Sequence, residues 1–147
     1  MQVKEIMTPH AVCCSPDTLL PNVARLMCDQ DCGAIPVLDG QQRPVGILTD
    51  RDIACRAVAS GRNVVEMEAR EVMSQPVRTV SPDATVEQAC EILEQNQLRR
   101  VLVVDGAGRC CGIVAQADIA RYAPKRDAAE VVRKVSQSSP RPATAQA

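Results

Sequence analysis

Residues 46–52 read GILTDRD and residues 112–118 read GIVAQAD. Both begin with Gly-Ile and end with Asp. In the first, Gly46 allows close backbone approach, Thr49 ends a strand with a hydroxyl, and Asp52 falls in the first turn of the helix that follows. A carboxylate there can accept both cis hydroxyls of a ribose, and the free N–H groups of the helix start suit a phosphate. A plainer use of Thr49 and Asp52 is to cap that helix. In the second stretch Ala115 has no hydroxyl, while Asp118 keeps the carboxylate.

The 8 cysteines, at 13, 14, 28, 32, 55, 90, 110 and 111, raise a metal or redox reading. No CxxC pair is present and His10 is the only histidine, so no metal site is expected. Cys28 and Cys32 stand one helical turn apart, yet cysteine also serves as a small apolar filler. No nucleophile–base pair or acidic dyad appears, and His10 and Asp17 are too weakly placed for catalysis, so no enzyme is expected. The net charge of −1 argues against nucleic acid or an anionic membrane as partner. With one Tyr, no Phe and no Trp, a core and any base-binding pocket must be built from Val, Leu and Ile. The start MQVKEIMTPH is not a secretory signal and no run spans a membrane, so a cytoplasmic location with reduced thiols is expected.

The elements that must position these residues come twice. Met7 and Met73 are 66 positions apart, and so are Ser15-Pro16-Asp17 and Ser81-Pro82-Asp83, Asp39-Gly40 and Asp105-Gly106, and Asp52-Ile53-Ala54 and Asp118-Ile119-Ala120. One offset held over about 50 residues is the mark of an internal duplication. Each unit predicts a short strand (Val12–Cys14; Val77–Val80), then a Ser-Pro-Asp turn. A helix follows, with apolar residues at Leu20, Val23, Ala24 and Met27 or Val86, Ala89, Cys90 and Leu93. Thr85 is the expected N-cap of the second of these helices. The first is expected to start from Thr18 with Pro21 in its first turn. Two strands (Ile35–Leu38 and Val45–Leu48; Val101–Val104 and Cys111–Val114) and a closing helix complete the unit. The expected class is α/β (α+β): two β-α-β-β-α repeats packed with pseudo-twofold symmetry. The first repeat with its linker takes 1–65 and the second 66–124. A C-terminal helix and disordered tail take 125–147, the tail from about Ser136.

The duplication, the unit order and the Gly-apolar-x-[Ser/Thr]-x-x-Asp stretches resemble a tandem pair of cystathionine-β-synthase (CBS) domains, a Bateman module standing alone. The resemblance covers the chain to about residue 123. It implies a non-catalytic regulatory module that takes AMP, ADP, ATP, NAD or S-adenosylmethionine between its repeats, needs no cofactor, and pairs as a homodimer through its helices. AMP is the ligand expected first; the downstream partner protein stays unnamed.

Carried over by position, the resemblance implies a main cleft and a weaker one. The main cleft takes Ile47, Thr49 and Asp52 from the first repeat, with Val77, Arg78 and Thr79 framing adenine and Leu98, Arg99 and Arg100 at the mouth. Two guanidiniums there suit a phosphate. The weaker cleft takes Ile113 and Asp118, with Ala115 in the threonine position. It faces Val12, Cys13, Cys14 and Ala34, and Cys32-Gly33-Ala34 replaces the Leu-Arg-Arg run. Two other functions stay open: a cysteine-based redox sensor, and a structural dimer whose clefts are relics.

Overall fold

The structure is a computed structural model and describes residues 1–123 and 125–137. In chain order the elements are α1 (Val3–Ile6), β1 (Thr8–Pro9), α2 (Leu20–Gln30), β2 (Ala34–Leu38), β3 (Pro44–Thr49) and α3 (Asp50–Asp52). The α3 turn runs on as a π-helical stretch, Ile53–Ala57, and a 3-10 turn, Val58–Ser60. Two short 3-10 turns (Val64–Glu66 and Ala69–Glu71) lead to β4 (Thr79–Val80), α4 (Val86–Asn96), β5 (Arg100–Val104), β6 (Cys110–Ala115), α5 (Gln116–Tyr122) and α6 (Lys125–Val135). The mixed α and β class is the one expected, and the repeat is visible in the register. Ala34 pairs with Thr49 in the first unit as Arg100 pairs with Ala115 in the second, and both hairpins shift register at the same place, after Val37 and after Val103.

Each repeat is finished by the segment that precedes the other. Val3 and Ile6 of α1 bury in the core of the second repeat, beside Leu93, Val101 and Ile119, and the Val3 N–H donates to the Ala84 carbonyl at 2.8 Å. Met67, Ala69 and Val72, which precede the second repeat, bury in the core of the first beside Leu20, Ile35 and Leu48. Burying an aliphatic side chain of this size contributes about 1.5–3 kcal/mol, so these short segments tie the halves together strongly. The same exchange continues one step on. Thr8 of β1 pairs with Ile113 of β6, and Ser74, its counterpart, bridges to Ile47 of β3. The sheets are therefore β1-β6-β5-β4 and the hairpin β2-β3.

The glycines of the two motifs earn their place in this exchange. A Cβ on Gly46 would stand 2.5 Å from Met73 Sδ, and one on Gly112 would stand 2.8 Å from Met7 Sδ and 2.9 Å from the Thr8 carbonyl. Only a residue without a side chain lets the crossing segments lie this close.

Three local expectations differ from what forms. Residues Val12–Cys14 make no strand; Cys14 alone bridges to Val37, its N–H donating to the Pro36 carbonyl at 3.0 Å. That single parallel bridge holds the place β4 takes beside β5 in the second repeat, whereas Thr8–Pro9 pairs antiparallel with β6. Thr18 does not cap α2. Its hydroxyl accepts the Ser15 N–H at 3.1 Å, and the helix starts at Leu19 without a side-chain cap. The Leu20 N–H at that end donates to the Met67 carbonyl at 2.9 Å, as the Val86 N–H at the start of α4 donates to the Met1 carbonyl at 3.0 Å. Thr85 does cap α4, accepting the Gln88 N–H at 3.2 Å. Finally, residues 62–68 are more than a tether, since Met67 is buried. The expected disordered tail starts at about Ser136, whose N–H donates to the Val132 carbonyl at 3.0 Å, and from 138 on it lies outside the described residues. Among the described residues no helix is long and apolar enough to cross a membrane.

Candidate functional site

The two motif carboxylates stand in unlike surroundings. Asp52 is buried, 8% exposed. Its Oδ2 accepts the Thr49 N–H at 3.0 Å, while its own N–H donates to Thr49 Oγ1 at 3.0 Å, a reciprocal cap. Ser74 Oγ, delivered by the bridge to Ile47, lies 3.2 Å from both carboxylate oxygens, and Arg56 Nε is 3.7 Å from Oδ1. Asp118 is half-buried. Its Oδ2 accepts the Ala115 N–H at 2.8 Å, and among the described residues Oδ1 has no partner.

Asp118 lines a cavity of about 520 Å³ between the repeats. Val12, Ala34 and Ile113, assigned with Asp118 to the weaker cleft, line it too, as do Ala115, Cys32 and Gly33. Cys13 does not: it is exposed and borders a separate concavity with Ser15, Asp17 and Arg70. Arg100 reaches this cavity from the second repeat, although the sequence placed it opposite Asp52. The small residues explain the opening. Where the first-repeat side offers Cys32-Gly33-Ala34, the pseudo-symmetric position carries Leu98-Arg99-Arg100, and Leu98 packs against the second core.

The remaining residues of the expected main cleft lie apart from that cavity. Ile47 and Thr49 stay with Asp52 on β3 and its end. Val77 is half-buried, and Arg78 and Thr79 are exposed beside β5, the Arg78 carbonyl accepting the Leu102 N–H at 3.3 Å. Arg99 is exposed, and its carbonyl accepts the Gln116 N–H at 2.9 Å.

Thr8, His10, Gln30 and Asp31 also line the cavity and were missed from the sequence. The signal existed for Thr8, which the 66-residue offset pairs with Ser74 beside the other motif. Asp31 ends α2 in the left-handed region, φ 49°, as its counterpart Gln97 ends α4 at φ 50°. The volume suits a ligand of nucleoside size, with Val12, Ala34 and Ile113 as its apolar wall and Thr8, His10, Gln30, Asp31, Arg100 and Asp118 as its polar one. Asp118 offers a free acceptor, Arg100 a forked donor.

Among the described residues no group of three or more His, Cys, Asp or Glu could hold a metal ion. Burial, with Cys13 close by, pushes the Cys14 thiol up to about 11, and burial raises the Cys110 and Cys111 thiols as well. Raised thiols hold less of the reactive thiolate at neutral pH.

Two copies of the CBS domain model match the chain, over residues 3–57 and 69–125. The chain belongs to the CBS domain family. It is 39% identical over 118 residues to the CBS domain-containing protein YhcV of Bacillus subtilis, covering 80% of this chain and 82% of that one. It is 31% identical over 132 residues to hypoxic response protein 1 of Mycobacterium tuberculosis, covering 90% and 92%. A crystal structure of hypoxic response protein I, solved with two coordinated zinc ions, superposes with a TM-score of 0.77 over 84% of this chain and 100% of that one, at 31% identity. The CBS domain pair of MJ0100, solved with 5'-methylthioadenosine and S-adenosyl-L-methionine, superposes with a TM-score of 0.74 over 82% and 98%, at 26% identity.

Proposed function

We propose that this CBS pair is a non-catalytic regulatory module that binds an adenosine compound in the Asp118 cleft. AMP is the compound that suits it best. Asp118 accepts the ribose hydroxyls through its unpartnered Oδ1, the aliphatic wall of Val12, Ala34 and Ile113 holds the base, and Arg100 takes the phosphate. The observation that carries this reading is one cavity of about 520 Å³ lined by both Asp118, with its free carboxylate oxygen, and Arg100, the two coming from the second repeat. The adenosine ligands held by the MJ0100 pair support the ligand class.

This reading reverses the order expected of the two clefts. The complete motif, Thr49 with Asp52, spends its hydrogen bonds on its own helix and on Ser74. The incomplete motif leaves its carboxylate available. The raised Cys14, Cys110 and Cys111 thiols weigh against a cysteine sensor. Binding is expected to act on a partner protein in the cytoplasm, with two copies of the chain paired through their helices; sedimentation tests that pairing.

A thermal melt with adenosine, AMP, ADP and ATP tests the ligand class. A ligand at 100 times its dissociation constant adds about 2.7 kcal/mol of stability, which is plain in a melt. No shift with any of the four would favour clefts that are structural relics.

A further inference from the structure

Gly33 is shared by two concavities. One is the Asp118 cleft; the other, of about 510 Å³, lies against α2 and is lined by Met27, Ile53 and Asp50. Arg100 on one side and Asp50 on the other converge above Gly33. Asp50 Oδ2 lies 3.2 Å, and Arg100 Nη2 3.3 Å, from the point where a Cβ on Gly33 would stand. Among the described residues neither group makes an ion pair. Backbone contacts set the position of Asp50: its N–H donates to the Gly33 carbonyl at 3.1 Å, and its Oδ1 accepts the Arg51 N–H at 2.8 Å. The cleft wall itself holds Asp31 and Asp118 with Arg100 as its one permanent cation.

We propose that Asp50, facing Arg100 across Gly33, is a specificity-determining residue that limits how many negative charges the ligand can carry. This inference rests on the reading of the Asp118 cleft as an adenosine site. One phosphate answers Arg100. Each further phosphate adds negative charge near Asp50 and Asp31, with no second cation on the wall to offset it. Like charges a few ångströms apart in a partly desolvated cleft disfavour binding by about tenfold or more. The cleft therefore takes an adenosine monophosphate and turns away the triphosphate. In the pseudo-symmetric position Asp50 is replaced by the neutral Gln116, so the restriction belongs to this cleft alone.

The test is calorimetry of the full chain at fixed ionic strength and without divalent metal, using adenosine, AMP, ADP and ATP. The native chain, Asp50→Asn and Arg100→Gln are compared, with melts of the unliganded variants as a folding control. The native chain is expected to bind AMP about tenfold or more tighter than ATP. Asp50→Asn is expected to tighten ATP about tenfold, ADP less and adenosine least. Arg100→Gln is expected to weaken AMP about tenfold and adenosine least. Adenosine binding with an unchanged AMP-to-ATP ratio in Asp50→Asn would overturn this proposal and leave the cleft reading standing. ATP binding to the native chain as tightly as AMP would do the same. No binding by any of the four would overturn both.

Discussion

Ser74 Oγ lies 3.2 Å from each carboxylate oxygen of Asp52, across the junction of the two repeats. The contact makes Asp52 part of the scaffold. Asp52→Ala should therefore act on stability, leaving the Thr49 N–H and Ser74 hydroxyl without their charged acceptor. The expected loss is about 1.5–3 kcal/mol, read by urea denaturation. Asp118→Ala removes one capping acceptor at a half-buried place and should cost about 1 kcal/mol or less, while abolishing ligand-induced stabilisation. Equal stability losses with ligand response kept in Asp118→Ala would count against the division of labour.

Gly46→Ala and Gly112→Ala should each destabilise by about 1–3 kcal/mol through overpacking. The cures differ. The nearest atoms to a Cβ on Gly46 all belong to the Met73 side chain, whereas one on Gly112 also meets the Thr8 carbonyl. Met73→Ala should then recover part of the Gly46→Ala loss in a double-mutant cycle. Met7→Ala should recover less of the Gly112→Ala loss, because backbone remains in the way.

Thr85→Ala should cost about 1 kcal/mol, the usual worth of a side-chain N-cap. Leu19→Ala, at the matching end of α2, removes no cap bond, since Leu19 makes none; a backbone carbonyl, Met67 for α2 and Met1 for α4, accepts the first N–H of both helices. Chemical denaturation of the two variants reads what the side-chain cap adds to the backbone bond both helices share.

Cys14 gives a pH signature. Its thiol titrates near 9 when unfolded and about 11 when folded, because burial disfavours the thiolate. The stability tied to keeping it protonated is full below pH 9 and drains away as pH rises from 9 to 11. Cys14→Ala should flatten this part of the stability curve. At pH 8, alkylation should reach the exposed Cys13, Cys28 and Cys55 before Cys14.

Much of the fold was legible because repetition is local information. The 66-residue offset placed both hairpins and both amphipathic helices, and Thr85 was readable as a cap from its position before Val86. The exchange of leading segments was not legible. Val3 and Ile6 show no pattern that says which repeat they cover. At the site, the sequence identified the carboxylates but not which of them is free. That depends on Ser74 arriving from the other repeat and on the room left by Cys32, Gly33 and Ala34. Of the arginines read from the sequence as the mark of the better cleft, Arg99 is exposed and Arg100 lines the neighbouring one.

The central claim is that the Asp118 cleft, and not the Asp52 cleft, takes the ligand. Titration calorimetry of AMP into the native chain, Asp118→Ala and Thr49→Ala tests it most directly. The account predicts one AMP per chain, binding lost in Asp118→Ala and retained in Thr49→Ala. Two equal tight sites per chain, or AMP bound by Asp118→Ala as tightly as by the native protein, would contradict it.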